Sequence, residues 1–175
     1  GSAQKLFAER DFKSVTVREI ARRAGLSPGT IYLYYKNLDE LLLDIFLAHT
    51  RKITTLVDLE RTSSTGCSIP RFYIQYLNEH MSFYQMMAHF MLGGKLAAPA
   101  TEKLNTIIRD LISQLEGIIR EVKNTRDNRL VAHALFSALN GIMISYARYP
   151  GRNLAEIQQH TLKLAGVIGE IFCET

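Results

Sequence analysis

Two cysteines in 175 residues are too few for a disulfide framework or a metal cage. Cys67 and Cys173 stand far apart and form no CxxC pair, so they read as two free thiols in a reducing cytoplasm. Signals of catalysis are missing as well. The histidines His49, His80, His89, His133 and His160 include no i, i+4 pair, and there is no HExxH, no Gly-rich phosphate loop and no nucleophile elbow. These absences predict a protein that is not an enzyme, with no metal and no cofactor. No signal peptide follows Gly1-Ser2, which looks like a vector remnant. A single run, Leu130 to Ala147, lacks Asp, Glu, Lys and Arg over nearly the length of a bilayer span. His133, Ser137, Asn140 and Ser145 within it point instead to a helix buried inside a water-soluble protein.

What is there suits a globular chain: 47% apolar residues, 22% charged, and a mild net charge of +4 that is compatible with an anionic partner. Apolar residues recur at i, i+3 and i+4 almost throughout, and alternating β-branched runs are absent. The reading is all-α, with about nine helices. The first covers roughly residues 3–10, with Leu6 and Phe7 as its apolar pair. Thr16-Val-Arg-Glu19 is a capping box that opens a short helix closed by Gly25. Ser27 caps a second, with Pro28 at its first position. Asn37, with Glu40 three residues on, opens a third that runs to about Leu59. Residues 61–69 read as a loop. A helix rich in aromatics and methionine follows from Pro70 to about Leu92, then breaks at Gly93-Gly94 and Ala98-Pro99. Three further helices are predicted near 101–123, 129–148 and 154–173.

Two short helices joined by a Gly-containing turn cannot fold alone. Leu6, Phe7, Ile20, Ala21, Leu26, Ile31, Tyr35, Leu41, Leu42 and Ile45 are spaced to meet in one core around them. That leaves Ser27, Pro28, Gly29, Thr30, Tyr32, Leu33 and Tyr34 outward. Hydroxyls that donate to phosphate, a glycine that permits close approach and a leucine for a thymine methyl suit a DNA groove. Arg18, Arg22, Arg23 and Lys36 add positive charge nearby.

The segment LFAERDFKSVTVREIARRAGLSPGTIYLYYKNLDELL resembles the N-terminal DNA-binding segment of the TetR family of transcriptional regulators. The resemblance covers about the first quarter of the chain. It implies backbone contacts from Thr16, Ser27, Thr30, Tyr32 and Tyr34, with Pro28, Gly29 and Leu33 nearest the base edges. Arg18 and Lys36 complete the expected DNA surface. Asp11 stands where the family usually has Gly, and Leu38 where a Lys often reaches a phosphate. The expected division is a helix-turn-helix domain at 1–46 and a ligand-binding and dimerisation body at 47–175.

In that body the last two predicted helices are apolar on more than one face. Leu135, Leu139, Ile142 and Tyr146 on one, and Leu162, Gly166 and Gly169 on the other, are expected to build a two-fold four-helix interface. Burial of both stripes within one chain is the competing reading. An effector pocket is expected from Phe72, Tyr76, His80, Phe83, Tyr84, Met87, Phe90 and Met91, with Ile108 and Leu111, although the same residues also suit a plain core. The expected function is a cytoplasmic homodimeric repressor, released from a palindromic double-stranded operator by an unknown small hydrophobic effector. The alternative is a helical small-molecule-binding protein with weak or vestigial DNA binding.

Overall fold

A computed structural model describes residues 15–63, 66–93, 96–123 and 125–173. The first predicted helix, with Leu6 and Phe7, and the Asp11 position lie outside them. The described residues form eight α-helices and no strand: α1 Val17–Ala24, α2 Pro28–Tyr32, α3 Leu38–Ser63, α4 Ile69–Glu79, α5 Met81–Met91, α6 Ala98–Val122, α7 Asn128–Tyr146 and α8 Leu154–Cys173. A single turn of 3-10 helix, Gly66–Ser68, precedes α4.

Several boundaries differ from those the sequence suggested. The aromatic helix is two helices, because His80 leaves helical geometry (φ −123°, ψ 55°) and caps α5 without a side-chain hydrogen bond. No glycine or proline marks that break. Pro99 lies in the first turn of α6 rather than breaking it, where a missing N–H removes no helical bond. The segment predicted as a loop over 61–69 holds the end of α3, the 3-10 turn and the start of α4.

By compactness the chain separates into two units. Among the described residues, one comprises those from 15 to 50 and from 80 to 105, the other those from 51 to 79 and from 106 to 173, so α3 and α6 each contribute to both. In the first unit, Val15, Val17, Ile20, Ala21 and Ile31 are buried, as are Leu42, Leu43 and Phe46 of α3. Phe46 stacks on Phe83 at 5.2 Å and meets Phe90 edge-on at 5.7 Å. Leu26, expected in this core, is 48% exposed, while Leu41 and Ile45 are half-buried.

In the second unit α8 packs on α4 and α7. Ile74, Leu77, Leu139, Met143 and Ala165 are buried there. Asn78 Nδ2 donates to Thr161 Oγ1 across α4 and α8 at 2.9 Å. The two cysteines are not free thiols. The 3-10 turn lies against the last turn of α8, which brings the cysteine Cα atoms to 5.8 Å, and Cys67 and Cys173 are joined in a disulfide. Sequence spacing alone could not reveal this, because the residues are 106 positions apart.

Candidate nucleic-acid interface and effector cavity

The head is built by local hydrogen bonds. Thr16 Oγ1 accepts from the Glu19 amide at 3.3 Å, and Glu19 Oε2 accepts from the Thr16 amide at 3.0 Å. This reciprocal box fixes the start of α1. Gly25, at φ 69°, ends it in the left-handed region. Ser27 Oγ then accepts from the Thr30 amide at 3.1 Å, which orients α2. Burial of Ile31 on the inner side of α2 turns its other face to water. There Tyr32 is 53% exposed, Leu33 82% and Tyr34 78%.

Every residue expected to touch DNA is exposed except Thr30, which is half-buried and pairs with Ser27 Oγ. The carboxylates of the head are held by hydrogen bonds, some of them beyond the reach of sequence spacing. Each carboxylate between residues 15 and 46 has an internal partner. Glu19 closes the capping box, Asp39 meets His89 Nε2 at 2.9 Å, and Glu40 accepts from the Lys36 amide at 2.9 Å. Asp44 takes a hydrogen bond from Tyr35, whose hydroxyl pKa is raised by burial and by that carboxylate. The residues exposed on and beside α2 are hydroxyl, apolar and basic, with Arg18, Arg22 and Lys36 among them. Lys103 of α6 joins Tyr34 and Lys36 along an open cleft of about 260 Å³ that also contains Glu40 and Asp44. Leu38 is half-buried.

The expected effector pocket is divided between the two units. His80, Phe83, Tyr84, Met87, Phe90 and Met91 belong to the first. There His80 meets His49 edge-on at 5.9 Å, and His49 stacks on Phe83 at 5.5 Å. Met91 is 41% exposed, so it lines no interior. Phe72, Tyr76, Ile108 and Leu111 belong to the second unit. Tyr76 is buried and its hydroxyl pKa is pushed up to about 12 by desolvation; burial also raises that of Tyr84.

The second unit holds an apolar cavity lined by Ile53, Val57, Ile69, Tyr73, Leu111, Gln114, Leu115, Phe136 and Leu139. Of the expected pocket residues only Leu111 lines it. Gln114 is fixed at the wall by donating to Thr54 O and Asp58 Oδ1, both at 2.8 Å. The cavity measures about 20 Å³, room for one water.

The expected interface stripe also needs correction. Leu135, Leu139 and Ile142 are buried within their own chain, and Gly169 is covered by the Cys67 carbonyl. None of these four can face a partner without unpacking the chain. Tyr146, Leu162 and Gly166 are half-buried. The large apolar side chains that α7 and α8 do leave in water are Leu130, Ile144, Leu154, Val167 and Ile171. Among the described residues no helix is long and apolar enough to cross a membrane, and no three His, Cys, Asp or Glu side chains gather as a metal site.

Residues 2–45 match the family model of bacterial regulatory proteins of the tetR family. The N-terminal segment is a tetR-family one. The match spans the capped α1, the Gly25 turn and α2. Similarity extends beyond the tetR segment. The fatty acid metabolism regulator protein of Bacillus subtilis (strain 168) is 23% identical over 151 residues, covering 79% of this chain and 76% of the relative. The crystal structure of FadR from Bacillus subtilis in complex with stearoyl-CoA superposes with a TM-score of 0.71 at 20% identity, over 94% of both chains. FadR from Thermus thermophilus, a tetR-family repressor solved with lauroyl-CoA, gives 0.64 at 22% identity, over 94% of this chain and 89% of that one. At these identities the structural likeness shows the fold alone.

Proposed function

We propose that the chain is a homodimeric repressor whose residues 1–46 read a two-fold-symmetric operator and whose residues 47–175 dimerise and bind a fatty acyl-CoA thioester. The reading rests on one observation above all: Tyr32, Leu33, Tyr34 and Lys36 stand exposed together at the end of α2. A surface of that kind attracts phosphates through its cations and meets bases with small apolar and hydroxyl groups. Thr16, Arg18, Ser27, Pro28 and Gly29 extend it.

Dimerisation is supported by the apolar side chains that α7 and α8 leave uncovered. On α7, Leu130, Ala134, Ser137, Gly141 and Ile144 recur at alternating spacings of four and three, as a helix–helix seam requires. Val167 and Ile171 stand one turn apart on α8 and are exposed. The effector class is supported by the two relatives solved with acyl-CoA and by the apolar cavity lined from α3, α4, α6 and α7. A long acyl chain needs several hundred Å³, so binding has to open that cavity.

The test selects genomic fragments with the purified protein and measures their affinity by fluorescence anisotropy. Specific binding that palmitoyl-CoA abolishes, and that free coenzyme A does not, is the expected result. Indifference among fragments at moderate salt would remove the operator reading. Binding that no acyl-CoA of any chain length disturbs would remove the effector reading.

A further inference from the structure

The turn that carries Cys67 is wedged into the second unit. A Cβ on Gly66 would lie 2.6 Å from Val122 Cγ2 and 2.9 Å from Ile118 Cγ2, both on α6. On the other side, a Cβ on Gly169 of α8 would lie 2.7 Å from the Cys67 carbonyl oxygen. The turn therefore sits between two helices with no room for a methyl group at either contact. The disulfide to Cys173 pins it there, and Ser68 Oγ donates to Glu60 Oε1 at 2.9 Å as a further tie to α3.

The next residue begins α4, and Ile69 and Tyr73 of α4 line the apolar cavity. Leu111, Gln114 and Leu115 of α6 line it too, one to two turns before Ile118. The plug is thus continuous with two of the cavity walls. To admit an acyl chain, those walls have to separate. A covalent bond across the plug opposes any separation that carries the start of α4 away from the end of α8.

From this geometry we propose that Cys67 and Cys173 form a reversible oxidation site that latches the cavity: the disulfide holds it closed, and the dithiol lets it open to the effector. The latch rests on the acyl-CoA reading above. A regulator that reads DNA works in a compartment kept reducing, where protein disulfides are transient and often sensing. Both cysteines are half-buried, so they are reachable by a small reagent. The chemistry is thiol–disulfide exchange with a low-molecular-weight disulfide. One cysteine thiolate attacks that disulfide, forming a mixed disulfide and expelling one thiolate. The second cysteine thiolate attacks the protein sulfur of the mixed disulfide and expels the other. The protein loses two electrons and two protons, and the reagent leaves as two thiols.

The experiment measures palmitoyl-CoA binding by isothermal titration calorimetry to the full chain. Three forms are compared: protein oxidised with glutathione disulfide, protein reduced with a phosphine, and C67S/C173S. Affinity at least tenfold higher in the reduced and serine forms than in the oxidised form is expected. Amides of residues 66–73 should also exchange faster with deuterium once the bond is cut, whether or not ligand is present. Equal affinity in all three forms overturns the latch and leaves the acyl-CoA reading standing. Absence of palmitoyl-CoA binding from every form overturns both. Thiols that stay free in excess glutathione disulfide also sink the latch. The reduced wild-type chain carries the comparison even if the serine variant folds poorly.

Discussion

Gly169 is where a single hydrogen atom decides the packing of a helix. Alanine there would place a methyl carbon 2.7 Å from the backbone oxygen of Cys67, an atom that cannot swing aside as a side chain can. Gly169→Ala is expected to destabilise the chain by about 1–3 kcal/mol, read from its urea midpoint. Gly166, one turn earlier on the same helix, has nothing within 4 Å of its added carbon, so G166A serves as the contrast. The tyrosines give a residue-scale prediction in pH. The folded chain holds the Tyr76 hydroxyl at about 12, above the ordinary value near 10 for an exposed tyrosine. The folded state therefore keeps a proton that the unfolded state releases first. The resulting stability is complete below about pH 10 and is lost as pH climbs toward 12. Tyr76→Phe should flatten that alkaline decline in thermal melts.

At the scale of elements, the head was legible because its signals are local. Thr16, Glu19, Gly25, Ser27 and Asn37 each act on backbone groups within four residues, and the structure places each bond where the spacing put it. Ser27→Ala, which removes the acceptor for the Thr30 amide, is expected to cost about 1 kcal/mol of head stability. Gly25→Ala should cost about 1–2 kcal/mol, because a Cβ disfavours φ 69° even with open space around it. Differential hydrogen exchange across residues 17–32 would read both. What escaped the sequence was long-range. The pairing of His89 with Asp39 spans fifty positions and the disulfide more than a hundred. The break at His80 carries no breaker residue. Apolar periodicity on α7 and α8 indicated that more than one stripe was buried or covered. It could not say which stripe faces the chain's own core, because leucine and isoleucine serve both equally well. The interface residues chosen from it, Leu135, Leu139 and Ile142, turned out to be core.

For the whole molecule, charge and covalent topology set the tests. Operator affinity is expected to fall steeply with salt, and Lys36→Ala should lower the slope of log affinity against log salt by about one. Tyr34→Ala should weaken operator binding without changing the melting temperature, since Tyr34 is 78% exposed. Cutting the disulfide releases a very long loop, the case in which the entropic stabilisation by a cross-link is largest. Reduction should therefore lower the urea midpoint, by an amount equivalent to about 2–4 kcal/mol. The greasy seam on α7 and α8 has a further consequence for the cell that makes this chain. If two copies must meet before either can occupy a gene, the bound fraction at scarce supply grows with the square of output. Halving the dose would then relieve control by far more than half, and the regulator becomes a gauge of its own abundance as well as of its ligand.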